Sequence, residues 1–112
     1  MKPGAIGLCT VLCMVLAGCG ESESQKEARI RANIMVMAEE AVRSRLKDPK
    51  SAQFQNQRVS AKGAGCGEVN SRNSFGGFTG FKRYIFAGRE LTVFESDMPP
   101  REFEITWGQV CS

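Results

Sequence analysis

Apolar side chains recur at helical spacing through EARIRANIMVMAEEAVRSRLK, where Ile30, Ile34, Met37, Ala38, Ala41 and Leu46 fall on one stripe. Ser24 and Glu27 stand three apart just ahead of that stripe, the spacing of a capping box in which each side chain satisfies the other's free backbone amide. Glu39 sits four residues before Arg43, and Arg43, Arg45 and Lys47 gather where the helix dipole is negative. The pattern predicts one long N-terminal helix whose apolar stripe is core. A membrane-lying helix would need a more strongly basic polar face. Pro49 ends it, because the residue before a proline avoids helical geometry, and Asp48 can then cap a short new turn.

Beyond that turn the period changes to two. A strand is predicted from Phe54 to about Val59, then a glycine-rich turn at AKGAG and a short strand from Cys66 to Asn70. KRYIFAGRELTVFE reads as a hairpin with Gly88 and Arg89 in a two-residue type II′ turn. That register pairs Phe86 with Leu91, Tyr84 with Val93 and Lys82 with Glu95, and leaves Ile85 opposite Thr92 on the other face. SDMPP interrupts the sheet. Phe103, Ile105 and Trp107 then alternate with Glu102, Glu104 and Thr106, the signature of a last strand. The fold class is α+β: one long N-terminal helix packed on a four- to five-stranded antiparallel sheet, with one disulfide.

The first twenty residues, MKPGAIGLCTVLCMVLAGCG, change where this domain is expected to live. Ala5 to Leu16 is an apolar run broken by Gly7 and Thr10, shorter than the roughly 20 residues of a spanning helix and suited to a signal peptide. Leu16-Ala17-Gly18-Cys19 resembles the lipobox of bacterial lipoproteins, in which the cysteine thiol takes a diacylglyceryl group and the chain is cut before it. The resemblance implies a signal peptide at 1–18, a lipidated tether at 19–24 and a single α+β domain at 25–112. It makes Cys19 the lipidation site and the membrane a partner through that lipid. Two or three acyl chains pass the threshold for stable anchoring, at about 0.8 kcal/mol per buried CH₂. Gly20 lacks the aspartate that retains such proteins at the inner membrane, so the outer membrane is favoured.

Cysteine use fits that compartment. Cys9 and Cys13 would leave with the signal and Cys19 would carry lipid, so Cys66 and Cys111 remain and most simply form one disulfide. A reactive thiol pair is the alternative, without a C-x-x-C spacing to support it. Removing residues 1–18 takes away Lys2 alone, leaving 14 basic side chains against 12 acidic ones in 94 residues. A balance of +2, evenly mixed, argues against nucleic acid as a partner.

Little in the chain suggests catalysis. It has no histidine, the commonest acid–base group and metal ligand. With two cysteines joined, structural zinc lacks its ligand set. No catalytic residue, metal or cofactor is assigned.

The segment NSRNSFGGFTGF, Asn70 to Phe81, is the candidate site. It is no phosphate cradle, because its glycines are followed by no Lys-Ser/Thr and open onto no helix. Gly76, Gly77 and Gly80 suit positive φ, and Asn70 and Asn73 suit local backbone hydrogen bonds. Two readings stay open. Phe75, Phe78 and Phe81 could cover one end of the sheet, or they could form a recognition surface flanked by Arg72, Lys82 and Arg83. Asn70, Asn73, Ser74, Phe75, Gly76, Gly77 and Phe78 are the candidate binding residues.

LKDPKSAQF at 46–54 and CGEVNSRNSFGGFTGFKRYIF at 66–86 together resemble a group of small exported bacterial proteins, many of them lipoproteins and some in prophage regions. The resemblance marks Cys66, Asn70, Asn73, Ser74, Gly76 and Gly77 as motif positions and brings no activity with it. The expected function is a non-enzymatic envelope lipoprotein that binds an envelope protein or glycan. A prophage-type superinfection-exclusion lipoprotein and an inhibitor of a cell-wall hydrolase are the alternatives.

Overall fold

The computed structural model describes residues 20–112, so the signal, the lipobox and Cys19 lie outside the described residues. Helix α1 runs Glu23–Arg43. Its cap lies two residues earlier than the Ser24–Glu27 spacing suggests. Ser22 Oγ accepts from Gln25 N at 3.2 Å, and Ser22 N donates back to the Gln25 side chain at 3.1 Å. Glutamine closes the box as well as glutamate does. The helix also stops before Lys47: Ser44 Oγ takes the Ala41 carbonyl, and Arg45 and Leu46 tighten into i→i+3 bonds on Val42 and Arg43. From Glu23 to Asn33 every residue is exposed, and only the second half of the helix packs on the domain.

A 3₁₀ turn at Pro49–Ser51 follows, with Pro49 in its first position as expected. Asp48 precedes it without a side-chain cap. The strands are β1 Gln53–Val59, β2 Gly65–Asn70, β3 Lys82–Phe86 and β4 Thr92–Phe94, in a four-stranded antiparallel meander of order β1-β2-β3-β4. Between Gln55 and Arg58 the register of β1 slips, with Asn56 left-handed at φ 54°. Asparagine tolerates that conformation in a bulge better than most residues.

Two expectations fail here. The β3–β4 hairpin is one residue out of the predicted register, with Tyr84 opposite Phe94, Ile85 opposite Val93 and Phe86 opposite Thr92. Gly88 does take positive φ, but in a longer turn closed by Ala87 N on Leu91 O and Leu91 N on Gly88 O, both 2.9 Å. Leu91, predicted to face Phe86, is exposed in that turn. A one-residue slip moves every β4 side chain to the other face. Val93 and Phe94 are both apolar, so either register buries one of them on each face.

The second failure is the last strand. Pro100–Val110 is helix α2, started by Pro100 at its first position. Phe103, Trp107 and Val110 lie at i, i+4 and i+7, while Ile105, the middle member of the alternating reading, is half exposed.

The sheet is therefore covered on both faces. On one, Ala38 and Val42 of α1 pack with Val69, Tyr84 and Phe86, and Phe54 and Phe94 close the sides. Burying an aromatic such as Phe86 contributes about 1.5–3 kcal/mol. The helix comes close because Gly65 lies beneath it: a Cβ there would stand 2.9 Å from that of Ala38. Gly67 lies beneath the Tyr84 ring in the same way, its hypothetical Cβ 2.7 Å from the hydroxyl. Burial pushes the Tyr84 phenol above its ordinary value. On the other face Ala64, Cys66 and Ile85 pack with Phe103 and Cys111 of the α2 end. The Cys66–Cys111 disulfide is formed, joining a central strand to the residue that caps α2.

Candidate functional site

The Asn70–Phe81 segment leaves the end of β2, folds on itself and re-enters at β3. Its shape is fixed by its two asparagines. Asn73 Oδ1 accepts from Phe75 N at 2.9 Å and Gly77 N at 3.2 Å, and Asn73 N donates to Gly77 O at 2.8 Å. Asn70 Oδ1 accepts from Gly80 N at 2.9 Å, while its amide nitrogen reaches Gln53 Oε1 at 3.2 Å. Thr79 N closes on Ser71 O, and an isolated antiparallel bridge joins Arg72 to Phe78. Gly76 and Gly80 hold positive φ, at 85° and 89°, whereas Gly77, expected with them, does not. The result is a small secondary hairpin with Ser74 and Phe75 at its tip.

Its phenylalanines do not cover the sheet. Phe75 is 96 % exposed, Phe78 46 % and Phe81 40 %. Phe78 is held from outside by the Arg72 guanidinium, 5.3 Å from the ring centroid. The loop thus has a polar frame that orders the backbone and an aromatic tip that is left in solvent.

The base of the hairpin is fastened to the 3₁₀ turn. Ser51 Oγ accepts from Arg72 N at 2.8 Å and donates to Asp48 O at 2.7 Å. With Gln53 opposite Asn70 and Phe54 opposite Val69, the stretches 46–54 and 66–86 are neighbours in space.

Beside the loop lies a groove of about 190 Å³ with Leu46, Val69 and Phe94 among its lining side chains. Arg45, Lys47, Arg72 and Lys82 also line it. Arg45 is occupied: it grips Asp97 at 2.6 Å and 3.0 Å, donates to Thr92 O at 2.8 Å and lies over the Phe94 ring. The hydrogen bond from Arg45 holds the Asp97 carboxyl below its ordinary value, and Asp97 in turn raises the guanidinium. Among the described residues Lys47, Arg72 and Lys82 form no ion pair. Periodicity does not reveal this groove: it places Lys47 at the helix end, and the β4 slip brings Phe94 to this face.

Arg83, the third predicted flanking cation, points away from the loop. It lies over Phe103 and Trp107 on the α2 face and pairs with Glu95 and Glu104, which raises its pKa and lowers that of Glu104. Arg58 adds a second guanidinium over Trp107 and donates to Cys111 O at 2.6 Å. Nearby, Glu68 accepts from Asn56 at 2.6 Å and Gln55 at 2.9 Å, and those bonds hold its carboxyl below the usual range. Among the described residues no group of three or more His, Cys, Asp or Glu is placed to hold a metal ion, and no helix is long and apolar enough to cross a membrane. In comparison with known proteins, no family model, no curated protein and no solved structure matches the chain.

Proposed function

We propose that the chain is a non-enzymatic, lipid-anchored protein of the bacterial envelope, held through Cys19, whose domain binds a partner in the periplasm through the Asn70–Phe81 hairpin. The outer membrane is the favoured site. The observation that carries the binding role is Phe75: a large apolar side chain almost wholly in solvent at the tip of a loop whose backbone is pinned by two asparagines. An ordered loop spends little conformational entropy on association, and an exposed aromatic is the side chain that gains most from burial in a partner.

Photo-crosslinking from position 75 in intact cells tests this, with position 89 in the β3–β4 turn as the control. A reproducible adduct from 75 and not from 89 is expected. Recovery of the same products from both positions, or of none, removes the binding role from the loop. A Cys19→Ser variant should lose acyl label, and retention of the label would overturn the anchoring. An inhibitor of a cell-wall hydrolase is the second reading, favoured by the protruding tip, and it requires that the purified protein slow such an enzyme in a Phe75-dependent way.

A further inference from the structure

The groove beside the hairpin joins two features that would not be brought together for stability. Its Leu46, Val69 and Phe94 side chains offer apolar contact, and Lys47, Arg72 and Lys82 stand around them without an ion-pair partner among the described residues. Like charges gathered without counter-ions repel one another and raise the local potential, which draws in an anionic partner. Arg45 shows the contrast, because its charge is already met by Asp97. The adjoining depression, which Arg72 also lines, holds Asp48 beside Lys50, so the uncompensated charge is confined to the groove itself.

Anions alone would leave the apolar part unused. About 190 Å³ is room for a single apolar side chain, since a cavity of about 150 Å³ accommodates benzene. The ligand chemistry that satisfies both features is an apolar side chain flanked by carboxylates. Position argues against the protein's own membrane as the occupant. The groove lies past the C-terminal end of α1, and a helix of 21 residues spans about 31 Å, so the groove stands about that far from Glu23, the end of the helix nearer in sequence to the proposed anchor.

We propose that this groove docks an acidic peptide segment of a protein partner. One apolar side chain of the segment rests against Leu46, Val69 and Phe94, and its neighbouring carboxylates pair with Lys47, Arg72 and Lys82. The assignment rests on reading the domain as a binding module and names the chemistry of what it binds.

The test uses the full chain in neutral-detergent micelles and a blocked peptide, acetyl-Glu-Leu-Glu-Phe-Glu-amide, followed by backbone amide NMR. Saturable shifts centred on Leu46, Lys47, Val69, Lys82 and Phe94 are expected. Affinity should fall roughly tenfold or more in Lys47→Glu plus Lys82→Glu, and should fall again between about 50 mM and about 500 mM salt. Both lysines are exposed, so an unchanged amide spectrum elsewhere confirms that the double variant is folded. Equal binding by the Gln-for-Glu peptide, equal binding by the double variant, or no saturable shift overturns the proposal. So does a stronger response at the same residues to phosphatidylglycerol micelles or to inorganic phosphate. If position 75 captures a partner while the peptide fails, the groove assignment falls and the binding role of the loop stands.

Discussion

Helix α1 closes one face of the sheet by fit, and α2 closes the other by attachment. Under α1 the contact is between small groups, Ala38 against Gly65, with Val42, Tyr84 and Phe86 filling the space around them. Under α2 the 11-residue helix brings one fully buried side chain, Phe103, and relies on the Cys66–Cys111 bond and on arginines laid across Trp107. With one fully buried side chain, α2 gains little from packing, and isolated helices below about 12–15 residues are marginal in water. A long helix with half its length packed can rely on shape alone. The difference separates what a one-atom change breaks from what a reductant breaks.

Loss of the disulfide should be the largest perturbation. Cys66→Ser with Cys111→Ser opens a loop of sequence separation 45 and should lower stability by roughly 4 kcal/mol from loop-closure entropy. Urea unfolding followed by the single tryptophan, Trp107, should then show α2 releasing before the far-UV signal of α1. Coincident transitions would mean that the two faces are not separately held. Gly65→Ala should strike the other face, costing about 1–3 kcal/mol because the added methyl meets the Ala38 Cβ, which cannot move without the helix. Its unfolding should begin in the helical signal, with Trp107 emission unchanged at low denaturant.

Arg83→Met should cost about 1 kcal/mol through its lost stacking and its partly exposed ion pairs, and should shift Trp107 emission where Gly65→Ala does not. A smaller, pH-dependent effect belongs to the Arg45–Asp97 pair at the end of α1. The Asp97 carboxyl lies below its ordinary value of 3.8 in the folded state, so its contribution is present above that value and is lost as pH falls through the depressed one. The gap in urea midpoint between the native chain and Asp97→Asn should therefore be constant from about pH 5 to 7 and shrink in acid below the ordinary value. A gap that widened in acid would contradict the pairing. Phe75→Ala should do least, within about 0.5 kcal/mol, because its side chain touches neither face; a larger loss in thermal melting would make the tip structural.

Much of the fold is legible in the chain because a single period dominates each segment. The second half of the α1 stripe and the β1 to β3 strands follow from one pattern each, although Ile30, expected in the core with that stripe, is exposed. The disulfide settles the choice between a staple and a thiol pair for Cys66 and Cys111. The errors fall where two patterns fit. Phe103, Ile105 and Trp107 alternate as a strand would, and Phe103, Trp107 and Val110 repeat as a helix would. Only Pro99-Pro100, which favours a helix start at position 100, distinguishes the two. The hairpin slip has the same origin, since adjacent apolar residues at 93 and 94 let either register bury a side chain on each face.

The candidate site divides likewise. Asn70, Asn73 and the positive-φ glycines are readable from local turn chemistry, and they do hold the loop. Whether three phenylalanines cover a sheet or face solvent depends on where the hairpin leans, which no local pattern encodes. The groove is still less accessible to sequence, because Leu46, Val69, Lys82 and Phe94 come from separate parts of the chain. Ser51 gives a physical reason for KDPKSAQF and CGEVNSRNSFGG to stand in one protein, since its hydroxyl is the joint between the turn and the loop.

The disulfide also sets how the domain answers to force. A pull between residues 20 and 112 travels along the chain to Cys66, crosses the sulfur bridge and leaves through Cys111. The α1 half of the molecule carries the load, and the sheet core enclosed between the two cysteines is shielded from it. Only the stretch from residue 20 to residue 66, 66 − 20 = 46 residue-to-residue steps, can then be drawn out, about 150–165 Å of chain. Reduction would roughly double that reach, and single-molecule stretching in the two redox states reads the difference directly.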